Sequence, residues 1–187
     1  MSKNDSSDRR VRRTRERLGA ALIALLEEKP IDEVTTREVL DRAGVGRSTF
    51  YLHYRDKDDL LLSQFENGLE MWSNILSAKR EKSRRVAPVT EFFGHVASAG
   101  KLYRSLVAAG RIQSFFDLAH GYFARGIARR LSDIGVAIPA KRELEARSHA
   151  LSGNLVSLLR WWLDHGAKEP PEDMDELFHR MLWKGLS

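Results

Sequence analysis

Hydrophobic residues recur along this chain at helical spacing, and no segment shows the convincing alternation of a β-strand. In the first block the leucines at 18, 22, 25 and 26 share one helix face, and Pro30 ends that helix. Glycine and proline divide the rest of the chain into further helical blocks. The pattern predicts an all-α fold of about nine helices, at approximately Arg9–Lys29, Thr35–Ala43, Arg47–Tyr54, Lys57–Lys79, Val89–Ser98, Leu102–Ala109, Ile112–Ile134, Lys141–His165 and Glu172–Lys184.

The segment from residue 34 to residue 61 reads VTTREVLDRAGVGRSTFYLHYRDKDDLL and predicts two short helices joined by a tight turn. Thr35 and Glu38 have the spacing of a capping box, and Gly44 suits the left-handed turn that ends the first helix. Such a pair of helices is a helix-turn-helix motif. The second helix, Arg47–Tyr54, carries arginine, hydroxyl and tyrosine side chains that fit the major groove of DNA.

Charge is concentrated at the N-terminus of the chain. Between Lys3 and Arg17 there are seven basic residues and three acidic ones, whereas the whole chain has a net charge of only +5. A basic arm suits a polyanion, although a solubilising disordered tail is an equally good interpretation. The chain has no cysteine, no apolar signal core and no apolar run long enough to span a bilayer. We therefore expect a cytoplasmic protein with no membrane partner.

The stretch AGVGRSTFYLHYRDKDDLL, with TRERLGAALIALLEEKPIDEVTTREV before it, resembles the DNA-binding domain of TetR-family transcriptional regulators over about Arg9–Leu62. The resemblance implies a regulator, usually a repressor, that binds an inverted-repeat operator in double-stranded DNA. By the same resemblance Arg47, Ser48 and Thr49 face the bases or nearby phosphates. The chain departs from the family at Gly46, where Ser or Thr is common, so one possible hydroxyl contact is missing.

The resemblance also implies contacts with the phosphate backbone. Tyr51, His53 and Lys57 would hold the phosphates, and Thr36 and Arg37 would contact DNA from the start of the helix before the turn. His53 has an alternative interpretation, because it could pack against the fourth helix instead.

The helix Lys141–His165 has two faces that could be buried. One face carries large residues and the other carries small ones, which would admit a close helix from a second subunit. Together with the apolar last helix this predicts a two-fold, four-helix dimer interface, although burial wholly within one monomer is the alternative. The predicted interface residues are Ala146, Ala150, Gly153, Ser157, Leu177 and Met181.

The middle helices are rich in aromatic residues, which by themselves indicate a packed core. The resemblance implies that this region encloses a cavity for a small-molecule effector in many relatives. Candidate ligand-binding residues are Trp72, Phe92, His95, Tyr103, Phe116, His120 and Phe123.

Competing functional classes have little support in the sequence. No nucleophile elbow, phosphate-binding loop or metal-ligand spacing is present, so we expect no enzyme, no catalytic residue, no cofactor and no metal. A regulator of the same fold that is controlled by a protein partner or acts as an activator, and a protein that packs DNA without sequence preference, remain as alternatives. The predicted domains are a disordered basic arm at 1–8, a helix-turn-helix domain at 9–62, and a ligand-binding and dimerisation domain at 63–187.

Overall fold

The computed structural model describes the backbone of residues 3–78, 81–137 and 140–184, and the side chains of all of these except 3–7 and 184. Every regular element in these ranges is helical and none is a strand, which confirms the all-α prediction. A short 3-10 turn, Ile31–Glu33, follows the first helix. The nine α-helices of the described ranges are α1 (Lys3–Glu28), α2 (Thr36–Ala43), α3 (Arg47–Tyr51), α4 (Lys57–Ala78), α5 (Val89–Ser98), α6 (Gly100–Ala108), α7 (Ile112–Asp133), α8 (Lys141–Asp164) and α9 (Pro171–Lys184).

Two helix ends differ from the sequence prediction by more than two residues. Helix α1 begins at Lys3 and not near Arg9, so it runs through most of the segment predicted as a disordered arm. Helix α3 ends at Tyr51 and not at Tyr54. The N–H of His53 donates to the carbonyl of Phe50 at 2.9 Å, which is a tighter i to i+3 turn in place of the continuing α-helix.

The chain divides into two compact units, and the division falls inside α4. The first unit extends to Phe65 and also includes Lys101–Ile112, and the second consists of Glu66–Gly100 and the chain from Gln113 onward. These units are defined by contacts alone. The functional domain limits at 9–62 and 63–187 stay a prediction.

In the first unit, the segment Lys101–Ile112 is fixed to the N-terminal helices by polar contacts. The guanidinium of Arg111 forms ion pairs with Asp58 at 2.9 Å and with Asp32 at 2.7 Å. The Ser105 hydroxyl accepts a hydrogen bond from the N–H of Ile31 at 3.3 Å. The start of α4 and the 3-10 turn are therefore both held by residues that lie far away in sequence.

The second unit has an aromatic core and one buried cation. Phe93, Phe123 and Trp162 are almost completely buried. Arg130 is 4% exposed, and its guanidinium donates to the main-chain carbonyls of Glu81, Ser83 and Arg85 at 2.7–2.9 Å. A buried charge needs such partners, so Arg130 fixes the segment between α4 and α5 against α7.

Candidate nucleic-acid interface

The start of α2 is fixed by the predicted capping box, which the structure confirms. The Thr35 hydroxyl accepts a hydrogen bond from the N–H of Glu38 at 3.3 Å, and the Glu38 carboxylate accepts one from the N–H of Thr35 at 2.9 Å. The ammonium of Lys29 also lies 2.6 Å from that carboxylate. The hydrogen bond from Lys29, followed by those from Thr35, lowers the pKa of Glu38 to about 2. An ionised Glu38 thus links the first turn of α2 to the end of α1.

The turn after α2 is built on Gly44, as predicted. Its backbone is left-handed, with φ of 58°, a conformation that costs other residues about 1–2 kcal/mol. The Gly44 carbonyl accepts a hydrogen bond from the guanidinium of Arg17 on α1 at 3.1 Å. Arg42 forms a two-pronged ion pair with Glu28, at 2.6 and 3.1 Å. Helix α1 therefore supports both ends of α2.

Helix α3 has one buried face and one exposed face. Phe50 is completely buried, and its ring lies 5.8 Å from the ring of Tyr54. The opposite face carries the exposed side chains of Arg47, Ser48 and Tyr51. The Arg47 guanidinium lies 5.7 Å from the centre of the Tyr51 ring, within the range of a cation-π contact. Burial of Phe50 thus fixes the direction in which a guanidinium, a serine hydroxyl and a phenol point into solvent.

The other residues predicted to contact DNA lie around this face with different exposures. Thr49 and His53 are half-buried, and the His53 ring packs edge-on against Tyr54 at 6.3 Å. On α2, Thr36 is the half-buried first residue, whereas the Arg37 side chain is 90% exposed and lies 3.7 Å from Asp41. Gly46 caps α3 with extended backbone and no side-chain hydrogen bond, in line with the missing hydroxyl.

Lys57 has contacts that differ from the phosphate contact implied by the family resemblance. Its ammonium donates to the main-chain carbonyls of Ile31 and Val34, both at 2.6 Å, and lies 3.4 Å from that of Asp32. A lysine ammonium has three donors, and these carbonyls account for all of them. Lys57 thus holds the chain between α1 and α2. The sequence held no signal for this role, because the carbonyls are main-chain groups more than twenty residues away.

The first helix presents further basic side chains. Arg10, Arg12 and Arg13 are exposed on α1. Arg15 is exposed as well, and its Nε donates to the phenolic oxygen of Tyr54 at 3.3 Å. The basic segment therefore combines exposed cations with one side chain that anchors α1 to the turn after α3.

Four of the seven predicted ligand-binding residues lie together in the second unit. The Trp72 ring is 5.0 Å from His95 and 6.4 Å from Phe92, and the Phe92 ring is 4.7 Å from Phe123. Partial burial lowers the pKa of His95. We refer to these four residues as the aromatic cluster. A single protonatable side chain thus sits among apolar rings.

The remaining three predicted ligand-binding residues lie outside the aromatic cluster. Phe116 is buried beneath the guanidinium of Arg160, 4.9 Å from its ring centre. His120 packs against His149, with 5.2 Å between the ring centres. Tyr103 belongs to the first unit, in the segment Lys101–Ile112. The helical pattern alone could not distinguish these neighbourhoods.

The two faces of α8 differ in exposure within one protomer. On the face that carries the large residues, Leu155 and Trp162 are buried, and so is Ser148 on the same face. The small-residue face is open, and on α9 Leu177 is half-buried whereas Met181 is 37% exposed. On the small-residue face the exposed residues are Ala146, Ala150 and Ser157, and Gly153 is half-buried.

Among the described residues, no three histidine or acidic side chains come close enough together to hold a metal ion. Within the same residues, no helix combines the length and apolar character needed to cross a membrane.

Comparisons of sequence match the segment that contains α2 and α3, and also the chain as a whole. The sequence profile of the family described as bacterial regulatory proteins, tetR family, matches residues 19–63, which include α2, the turn and α3. The uncharacterized HTH-type transcriptional regulator YxbF of Bacillus subtilis (strain 168) is 26% identical over 189 residues, covering 96% of this chain and 47% of YxbF. The chain therefore spans about half the length of that curated relative.

Solved structures share the fold. The dihydroxyacetone kinase operon activator DhaS has a TM-score of 0.66 at 14% identity, covering 91% of this chain and 94% of DhaS. A putative TetR-family regulator from Syntrophomonas wolfei str. Goettingen has a TM-score of 0.60 at 20% identity, covering 94% and 97%. Thermus thermophilus FadR, described as a TetR-family repressor in complex with lauroyl-CoA, has a TM-score of 0.58 at 21% identity, covering 92% and 95%. Residues 19–63, which contain the helix-turn-helix, thus match the tetR family of bacterial regulatory proteins, and the all-helical fold of the described residues is shared with these solved structures.

Proposed function

We propose that this protein is a sequence-specific DNA-binding transcriptional regulator that inserts α3 into the major groove. The observation that carries the proposal is the exposed face of α3, where Arg47, Ser48 and Tyr51 point outward because Phe50 is completely buried. An arginine can bind the O6 and N7 atoms of guanine with two hydrogen bonds, and a hydroxyl can contact either a base or a phosphate. The family match to residues 19–63 supports the same role.

The DNA contacts divide into two groups in this proposal. Arg47, Ser48 and Thr49 face the bases or nearby phosphates, whereas Tyr51 and His53 bind the phosphate backbone. From α2, the 90% exposed Arg37 and its neighbour Thr36 reach the flanking backbone. Lys57 supports the interface indirectly, since its ammonium is engaged by main-chain carbonyls.

The functional form in this proposal is a homodimer that binds an inverted repeat. The support is the open small-residue face of α8, which allows close approach of a second helix, together with the exposed Met181 on α9. Two-fold symmetry of the dimer places one copy of α3 on each half-site.

Regulation in this proposal comes from a small, partly apolar effector that binds at the aromatic cluster and releases the protein from its operator. Helix α4 contributes residues to both units, and Trp72 of the cluster lies on it. FadR is a repressor described with lauroyl-CoA, whereas DhaS is named an activator. Activation, or control by a protein partner, is therefore the alternative.

The proposal is tested by selecting binding sites from a random DNA library with the full chain. An inverted repeat bound well above bulk DNA is expected. Arg47→Ala should lose about 1–3 kcal/mol of binding free energy and relax the preference at one base position. Asp117→Ala, which changes an exposed residue of α7, serves as the control. A reporter gene placed behind the selected site then gives the sign of regulation, and affinity without any sequence preference would contradict the proposal.

A further inference from the structure

The first residue after α3 carries an unexpected side chain for a polar surface. Leu52 is 80% exposed, a larger fraction than for any other large hydrophobic residue in the described part of the chain. An exposed leucine contributes nothing to the stability of one protomer through burial. Burial within one protomer therefore does not account for a leucine at this position.

The backbone of Leu52 continues the helical geometry of α3. Its φ and ψ are −74° and −19°, and its N–H donates to the carbonyl of Ser48 at 3.3 Å. Residues four apart on a helix lie on the same face, so the Leu52 side chain lies one turn beyond Ser48. The exposed face of α3 therefore consists of a guanidinium, a hydroxyl and a phenol, with one aliphatic side chain at its end.

The major groove offers one aliphatic group, the C5-methyl of thymine. The other major-groove groups that distinguish the bases are hydrogen-bond donors and acceptors, which a leucine cannot pair. We propose that Leu52 determines part of the operator sequence by packing against a thymine methyl in each half-site. This inference rests on the proposed function, because it requires α3 to occupy the major groove.

A protein partner is the competing occupant of an exposed leucine, and the surroundings disfavour it. The neighbours on this face are Arg47, Ser48 and Tyr51, of which two are polar and the third ends in a hydroxyl. Cores of protein interfaces are depleted in charged residues, whereas DNA interfaces are rich in them. The cationic surroundings thus match a polyanion better than an apolar protein surface.

The test removes the methyl group from the DNA and the isobutyl group from the protein. Each thymine of the selected operator is replaced by deoxyuridine at symmetric positions, and affinity is measured with the wild-type chain and with Leu52→Ala. At one position per half-site the wild type should lose affinity roughly fourfold for each methyl, or about tenfold or more for the pair. Leu52→Ala should bind both duplexes within about twofold of each other, because the methyl then has no partner.

Leu62→Ala is the matched control, since Leu62 is an exposed leucine on α4. It should respond to deoxyuridine as the wild type does. Thermal unfolding of Leu52→Ala should match the wild type, which excludes a folding defect. If the operator is bound specifically but no thymine depends on Leu52, this inference is wrong and the proposed function stands. Binding without any sequence preference would overturn both.

Discussion

Nε2 of His179 lies 3.0 Å from the main-chain nitrogen of Val86 and accepts its hydrogen bond. This contact fixes the tautomer, since the ring proton must then be on Nδ1, which lies 2.9 Å from the carbonyl of Asp175 and 3.0 Å from its carboxylate. The same carboxylate accepts hydrogen bonds from Arg85 at 2.7 and 3.0 Å. Helix α9 is therefore attached to the segment before α5 through one buried imidazole and one ion pair.

His179→Ala should destabilise the protein by about 1–3 kcal/mol, because it leaves the buried N–H of Val86 without an acceptor. Urea unfolding followed by circular dichroism measures the change. Arg180→Ala is the control on the next residue, where a 52% exposed side chain pairs with Glu176 on the surface. It should change the free energy of unfolding by less than about 0.5 kcal/mol. Equal effects of the two variants would contradict the role assigned to His179.

Acid should weaken the attachment of α2 to α1 through Glu38. Hydrogen bonds from Lys29 and Thr35 lower the pKa of Glu38 to about 2 in the folded chain, against an ordinary value of 4.5. A depressed pKa stabilises the folded state above the ordinary value, and this stabilisation is lost as pH falls from about 4.5 towards 2. The free energy of unfolding of the wild type should therefore exceed that of Glu38→Gln at neutral pH, and the difference should shrink over that range.

Chemical denaturation at stepped pH values, with the exposed Glu27→Gln as control, tests this prediction. If the difference in free energy of unfolding between the wild type and Glu38→Gln stays constant from pH 6 to pH 2.5, the Glu38 charge is not the stabilising feature.

Replacing Lys57 by alanine distinguishes a structural role of this residue from a phosphate contact. If its ammonium stabilises the carbonyls of Ile31 and Val34, Lys57→Ala should lower the free energy of unfolding by about 1–3 kcal/mol. A phosphate contact would instead leave stability unchanged and reduce the slope of log affinity against log salt by about one. Urea unfolding and operator titration at four salt concentrations measure both quantities. The exposed Arg55, which pairs with Asp59 four residues further along the chain, provides the control variant Arg55→Ala.

The sequence predicted the local features of the interface better than the distant ones. The capping box of Thr35 and the turn at Gly44 depend on residues within a few positions of each other, so their spacing was sufficient. The contact of Arg111 with Asp32 joins residues 79 positions apart, and no helical pattern indicates such a pair. The role of Lys57 was equally invisible, because its partners are main-chain carbonyls that every sequence possesses.

The aromatic residues illustrate the same limit. Periodicity placed Trp72, Phe92, Phe116 and His120 on helices, but neighbours across helices depend on how those helices pack. Only the first two lie in the aromatic cluster, whereas Phe116 lies beneath Arg160. Helix positions were therefore predictable, and the composition of the cluster was not.

The open face of α8 gives the prediction for oligomeric state. Ala150 is exposed in one protomer, so Ala150→Glu should leave the fold of that protomer intact. In a dimer the new carboxylate would be buried without a partner, at a cost of several kcal/mol, and the variant should be monomeric at micromolar concentration where the wild type is dimeric. Light scattering after size-exclusion chromatography measures the mass, and circular dichroism confirms the helical content. The control variant Ala137→Glu changes an exposed residue outside α8 and should remain dimeric.

Operator binding should follow the oligomeric state. Because each half-site needs its own copy of α3, Ala150→Glu should also lose most operator affinity while Ala137→Glu retains it. A wild-type chain that is monomeric at these concentrations, or an Ala150→Glu variant that remains dimeric, would show that the small-residue face of α8 does not form the interface.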